Sequence, residues 1–278
     1  MNLLKTIRIP LYLIVLITCI VTIISFVTEG MHNKEEITNF QEIAYSSNSS
    51  DEIVSNEVVI EAADFYSKNE VSNTSVKNQS VTKVVDIKAL QDANPDIFAW
   101  ITIPGTTIDY PIAQHPKNDE YYLKHDANGL KSNYGCPYIE LCDAKSLLEF
   151  NTVVYGHNMN NGSMFGGLHK FEDKNFYDKH RQVLVYTADH VFQYEIFAAV
   201  LYSDDYIPYC YDDSKDADRL TFIDSLKTKS LKGHKIISSD VIVNTNSNII
   251  TLSTCDKKYR NNRYLVVAVM KQIDGQDV

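Results

Sequence analysis

The longest apolar stretch in the chain runs without a charge from Ile9 to Thr28 and is dominated by leucine, isoleucine and valine. At 1.5 Å of rise per residue, such a run covers about 30 Å of hydrocarbon, so the pattern predicts one membrane helix over residues 9–28. The run leaves through Ser25-Phe26-Val27-Thr28-Glu29 without the small-residue exit of a cleaved signal peptide, which predicts that the helix is retained. Lys5 and Arg8 precede it and Glu29, Glu35 and Glu36 follow. The positive-inside bias then puts residues 1–8 in the cytoplasm and everything after the span outside the cell.

Residues 29–83 lose the periodicity. They hold ten acidic and four basic side chains with many serines and asparagines, and only scattered apolar positions such as Ile53, Val58-Val59-Ile60 and Phe65-Tyr66. That composition predicts a solvated stalk, with an amphipathic helix over Glu57 to Lys68 as the alternative. From residue 84 to 278 the texture is that of a folded domain. Asp86 can cap a short helix carrying Ile87 and Leu90, which should stop at Asn94-Pro95 because the residue before proline is pushed out of the helical region.

Short β-branched and aromatic runs follow, separated by turn residues. Trp100 to Ile103, the Pro104-Gly105 turn and Ile108 to Ile112 read as a hairpin; Asn151 to Tyr155, Gln182 to Thr187, Val191 to Tyr202, Val241-Ile242-Val243, Asn248 to Thr254 and Tyr264 to Met270 read as further strands. One helix interrupts them over Asp218 to Lys227, where Leu220, Ile223 and Leu226 recur at helical spacing. The expected fold is therefore mainly β, a closed barrel or sandwich with inserted helices. A Rossmann fold is excluded by the absence of regular βαβ alternation and of a glycine-rich phosphate loop.

Composition narrows the function. A net charge of −10 opposes nucleic-acid binding, which needs clustered lysine and arginine to displace counterions. The five cysteines, at 19, 136, 142, 210 and 255, form no CxxC pair, so neither a zinc ribbon nor a disulfide framework is expected. No metal or other cofactor is implied.

The chemistry concentrates near the C-terminus. The strand Asn248 to Thr254 ends on Cys255, the polar loop Asp256 to Asn262 follows, and Arg263 leads the next strand. An antiparallel hairpin makes the last residue of one strand and the first of the next cross-strand neighbours, so a thiol and a guanidinium share one end of the barrel. Arg260 is the alternative cation, but it sits in the loop with Lys257 and Lys258. A thiolate is the reactive form of cysteine, and a nearby cation or imidazolium supplies it. Among the histidines, His157 follows the strand Thr152 to Tyr155 through Gly156, at a strand end. His169, His180 and His190 lie in polar contexts that read as surface.

Thr251-Leu252-Ser253-Thr254-Cys255 with Arg263, together with Tyr155-Gly156-His157-Asn158-Met159 and Ser163-Met164-Phe165, resemble the signatures of sortases, and more narrowly of class B. The resemblance extends over roughly Leu90 to Met270, including Asn94-Pro95-Asp96, Ile108 to Ile112 and Tyr121-Tyr122-Leu123. It implies an eight-stranded sortase barrel with N-terminal helices and a helix inserted before the last strands. It also implies transpeptidation: Cys255 attacks the carbonyl of a threonine in a C-terminal sorting motif of a surface protein. His157 protonates the leaving amine and deprotonates the incoming one, and Arg263 steadies the oxyanion. The acceptor would be an amine of peptidoglycan or of its lipid-linked precursor, and activity would peak near neutrality between two ionisations of the pair. A sorting motif beginning Asn-Pro or Ser-Pro, with threonine near its end, fits class B.

By the same resemblance Leu123, Tyr206, Ile207 and Ser253 contact the substrate, with barrel packing as the alternative for each. The chain departs from the family pattern in carrying Asn118-Asp119, and in carrying Gly135-Cys136-Pro137-Tyr138-Ile139-Glu140, where Cys136 and Cys142 read most simply as small buried residues. Two further functions are compatible with the residues, a surface-binding module that kept the barrel without the chemistry and a hydrolytic cysteine peptidase.

Overall fold

A computed structural model of the chain describes residues 3–46, 85–231 and 233–278. Two units are distinguished, Met1–Asn39 and Phe40–Val278. The first is built on helix α1 (Leu3–Ala44), which contains an 18-residue window of mean hydropathy 2.3, long and apolar enough to cross a membrane. The segment expected as stalk is thus helical as far as Ala44, and the last turn of α1 joins the second unit. Phe40 and Ala44, spaced for one helix face, are buried with Trp100 and Tyr186. Gln41 Nε2, Tyr45 Oη and Trp100 Nε1 all donate to the carboxylate of Asp109, at 2.9, 2.8 and 2.7 Å. The rest of the expected stalk, with the alternative helix at 57–68, lies outside the described residues.

After the end of α1 the described part of the second unit resumes at Val85 and leads into α2 (Ile87–Ala93). Asp86 caps it, its side chain accepting from the Ala89 amide at 2.9 Å, and it ends at Asn94 before Pro95, as expected. The β-strands are β1 (Ile97–Thr102), β2 (Asp109–Ala113), β3 (Asn151–Tyr155), β4 (Gln182–Thr187), β5 (Val191–Ser203), β6 (Lys235–Ile237), β7 (Ile249–Cys255), β8 (Asn262–Ile273) and β9 (Gln276–Asp277). Between them lie α3 (Lys174–Lys179), α4 (Ile207–Cys210) and α5 (Asp216–Thr228), the last being the expected inserted helix with its ends extended.

The sheet runs β2-β1-β4-β5-β8-β7-β3, antiparallel except for the parallel pair β3 and β7. Its two ends meet through Pro137–Ile139. The Ala113 amide donates to Pro137 O at 2.9 Å and the Ile139 amide to Ala113 O at 3.0 Å; Tyr138 exchanges both backbone bonds with Tyr155, at 3.0 and 2.8 Å. This short segment takes the eighth place around the barrel, so the Cys136-Pro137-Tyr138 stretch has a structural task. Cys136 is buried there, within 3.4 Å of Pro137 O.

One strand expectation and one omission need correction. Val241-Ile242-Val243 is not a strand: Val241 and Val243 pack partly into the core under α5 while Ile242 is 81% exposed, which gives the alternation without a ladder. The strand formed instead in this region is β6, which pairs with β5 from Ala198↔Ile237 to Val200↔Lys235. The omission is the 3-10 stretch Phe165–Glu172, where Phe165, Leu168 and Phe171, all fully buried, recur every third residue, the period of that tighter helix.

Just past the closing segment, Asp143 is buried, with Oδ1 3.4 Å from the Val153 amide and no hydrogen-bond partner at Oδ2. Burial, opposed by that amide and reinforced by the charges of Glu149 and Glu140, lifts its carboxyl from 3.8 to about 8. The folded chain therefore holds a proton that the unfolded chain releases. The sign follows: this carboxyl costs nothing below its unfolded value, and stability falls as pH rises from about 4 to about 8, with a limiting slope of about 1.4 kcal/mol per pH unit. Asp143→Asn is expected to flatten that dependence and to raise Tm at the alkaline end. Urea melts at about pH 5 and about pH 8 measure it; a slope equal to the parent's would remove Asp143 as the cause.

Candidate active site

β7 and β8 form the hairpin expected from the sequence, in the register Ser253↔Leu265, Thr254↔Tyr264, Cys255↔Arg263. Cross-strand pairs share a face with Cβ atoms about 4.5–5.5 Å apart, so Arg263 stands beside Cys255. Arg260, by contrast, lies in the loop and is exposed. No carboxylate forms an ion pair with Arg263 among the described residues.

β3 brings the imidazole from the other side. Tyr155 is level with Ser253 in the parallel ladder, the Gly156 amide donates to Ser253 O at 3.1 Å, and Thr254 Oγ1 donates to Gly156 O at 2.7 Å. His157 lies two residues past Tyr155 and Cys255 two past Ser253, so both stand with Arg263 at one rim, where β3 and β7 end and β8 begins. Cys255 is exposed, whereas Ser253 and Thr254 before it are buried.

His157 Nε2 is 2.6 Å from Leu123 O. A carbonyl only accepts, so Nε2 carries a proton and donates it. This leaves Nδ1 as the nitrogen that can take and return a proton. Gly135 keeps the supporting backbone close: its φ is +62°, and a Cβ there would lie 2.5 Å from Tyr122 O, 3.0 Å from His157 Cδ2 and 3.3 Å from Leu123 O.

Two polar side chains assigned no role by sequence reasoning converge on the carbonyl of Cys255. Asn158 Nδ2 donates to it at 2.7 Å, and His169 Nε2 lies 3.2 Å away. His169 is therefore not a generic surface residue; its ring stacks on Tyr264 with centroids 4.7 Å apart. The signal that could have found it is the three-residue recurrence from Phe165 to Phe171, whose buried face turns His169 toward the β7–β8 loop.

The other cysteines are less suited to nucleophilic work. Cys142, expected to be buried, is exposed, but partial burial of its thiol and then the charges of Asp143 and Glu140 push it up to about 11. Cys210 is exposed at the end of α4, and Cys19 lies in the apolar helix.

The four groove residues separate. Leu123 is half-buried against the Tyr122 and Cys136 cluster and supplies the carbonyl that holds His157. Tyr206 is half-exposed and donates to the Glu140 carboxylate, whose carboxyl is raised by burial against the pull of that bond. Ile207 is buried among Phe150, Tyr211 and Phe222, so packing accounts for it. Ser253 is buried on the face that Cys255 occupies.

A thiol, an imidazole and a guanidinium at one rim of a closed barrel describe a cysteine acyltransferase, and the family model of the Sortase domain matches residues 101–271. The chain belongs to the sortase family of cysteine transpeptidases. Within that family the relatives are of class B. The chain is 35% identical to sortase B of Listeria monocytogenes over 183 residues, covering 65% of this chain and 72% of the relative. It is 31% identical to sortase B of Staphylococcus aureus over 188 residues, covering 67% and 74%. Among solved structures, Clostridium perfringens sortase B superposes with a TM-score of 0.59 at 31% identity, covering 66% of this chain and 99% of that one. A Staphylococcus aureus sortase B–substrate complex gives 0.58 at 30%, covering 66% and 83%.

Proposed function

We propose that this sortase is held in the membrane by residues 9–28, with residues 1–8 in the cytoplasm and the barrel outside. There it cleaves a C-terminal sorting motif of surface proteins after threonine and transfers the acyl group to an amine of peptidoglycan or its lipid-linked precursor. The Cys255 thiolate attacks the threonine carbonyl, and Arg263 stabilises the charge that develops on its oxygen. His157 gives a proton to the departing amine, leaving a thioester on Cys255. The acceptor amine attacks that thioester, its proton passes to His157, and the thiolate is restored. Tyr206 and Leu123 flank the motif, with Ser253 beneath it and Ile207 supporting the wall.

The observation that carries this reading is the register that pairs Cys255 with Arg263 while the parallel β3 delivers His157 to the same level. A tether beside the membrane suits an enzyme whose substrate and acceptor are both membrane-held, because it raises their effective concentration. A hydrolytic peptidase differs only in the acceptor. Incubating the full chain with a peptide library carrying threonine near the motif end, with and without an added amine, separates the two. The expected result is cleavage after threonine, a thioester adduct on Cys255 by mass, and an amide product when amine is present. Hydrolysis alone at saturating amine would sink the transferase assignment.

A further inference from the structure

A cavity of about 250 Å³ lies between α4, the start of α5 and the loop that follows the closing segment, and the acyl-transfer steps give it no task. Asp143, Phe150, Val153, Ile207, Arg219 and Phe222 are among the residues that line it. Its place along the sheet relates it to the nucleophile. Side chains alternate along a strand, so Cys255, Ser253 and Thr251 share one face of β7. In the parallel ladder Tyr155 stands beside Ser253 and Val153 beside Thr251. The cavity therefore lies on the face that carries the thiol, level with a residue four back along β7, or about 13 Å at about 3.3 Å per residue. Ile207, which supports the groove wall, lines the cavity as well.

One group here lacks what its burial requires. Asp143 is 7% exposed; its Oδ1 has the Val153 amide at 3.4 Å, and its Oδ2 has no hydrogen-bond partner. Buried carboxyls in folded chains are almost always paired, so the bare oxygen marks a place for a partner that the chain does not supply. The surroundings set that partner's charge. Glu149, Glu140 and Asp213 all press negative charge on Asp143, and the Cys142 thiol and Tyr155 hydroxyl are its other titratable neighbours. Among the described residues no lysine or arginine forms an ion pair with it. Arg219, the cation on the cavity wall, is engaged elsewhere: Nε donates to Asp213 O, Nη1 donates to Thr245 O at 2.8 Å, and the guanidinium lies over the Phe150 ring. A negative field and an unmatched carboxyl among apolar walls suit an ammonium carried on a long apolar stem.

We propose that this cavity receives a lysine side chain of the sorting signal, just before its motif, with Asp143 as the counter-ion. The identity of the peptide rests on the acyl-transfer reading. With threonine at Cys255 and the extended chain running back over Ser253, the residue about four before threonine comes level with Val153. Binding exchanges a proton for a cation: the carboxyl proton of Asp143 leaves to solvent, and the carboxylate left behind pairs with the ammonium, which keeps its three protons. Asp143 thus selects substrates without touching the reacting atoms.

The test uses peptides that share one threonine-containing motif and differ only in lysine, alanine or glutamate at each of the three residues before it. With the detergent-solubilised full chain, kcat/KM for lysine at one of these positions is expected to exceed that for glutamate by at least about tenfold, carried by KM with kcat unchanged. Asp143→Asn, whose fold is checked by thermal melts, is expected to bring the lysine-to-alanine ratio from at least about threefold to about one. Calorimetric titration of the lysine peptide into Cys255→Ala, in two buffers of different ionisation enthalpy near pH 7, is expected to show about one proton released per peptide, and none when Asp143→Asn is added. Attraction by exposed carboxylates alone fades at about 1 M salt, where the Debye length is about 3 Å, whereas the buried pair keeps its preference. Equal kcat/KM for the three residues at every position, a preference that survives Asp143→Asn, or one that salt abolishes would overturn the proposal. Absence of cleavage with every peptide would instead remove the acyl-transfer reading. The titration into Cys255→Ala then decides alone, and equal binding of the lysine and alanine peptides overturns the site.

Discussion

Cys255→Ala is expected to lower both cleavage and transfer of a sorting-motif peptide by about 10,000-fold or more, the scale on which removal of a covalent nucleophile is felt. Stability should change little. Cys255 is exposed at the end of β7, and the ladder to β8 there is made by backbone groups, so surface truncation costs within about 0.5 kcal/mol. That separation between activity and Tm is what marks the residue as chemical. Serine replacement of Cys142 or Cys210 in parallel should leave activity in place, since neither stands at the rim where β3 and β7 end and β8 begins. Peptide cleavage by chromatography, with thermal melts of each variant, reads both quantities. Cleavage retained in Cys255→Ala would remove the thioester from the mechanism.

The pairing of Cys255 with Arg263 was legible because it is purely local. A strand, a short polar loop and a second strand admit one simple connection, and the hairpin then dictates which residues face each other. The arrival of His157 was harder to read, since a parallel neighbour has no short loop to announce it; its place at a strand end after Gly156 singled it out, and the family motif tied it to Cys255. A closed barrel was expected, but the segment that closes it could not be read. Tyr138 joins both sheet ends with a single residue in β geometry, too short to leave any alternation. Val241 to Val243 failed for the opposite reason, having the alternation of a strand because its two valines pack into the core while Ile242 faces solvent, without a ladder. His169 and Asn158 were missed because their partner is a backbone carbonyl almost a hundred residues distant in the chain, and side-chain pattern carries no information about main-chain acceptors.

His157→Gln is expected to reduce kcat/KM by about 100- to 10,000-fold, the range for loss of a positioned acid–base group. Glutamine retains an amide donor able to reach Leu123 O, so the contact that holds the imidazole at 2.6 Å has a substitute and the rim should keep its shape. What is lost is a nitrogen that exchanges protons. The departing amine then leaves unprotonated, and the pH–rate profile should lose one of its two limbs, which belong to the pair. Alanine at the same position would also leave the Leu123 carbonyl without its donor, confounding loss of chemistry with loss of support. A profile measured from kcat/KM over the accessible pH range decides the matter. If glutamine left both limbs intact, the proton would have to travel through another ring, and His169, whose Nε2 already lies 3.2 Å from the carbonyl of Cys255, would be the group to replace next.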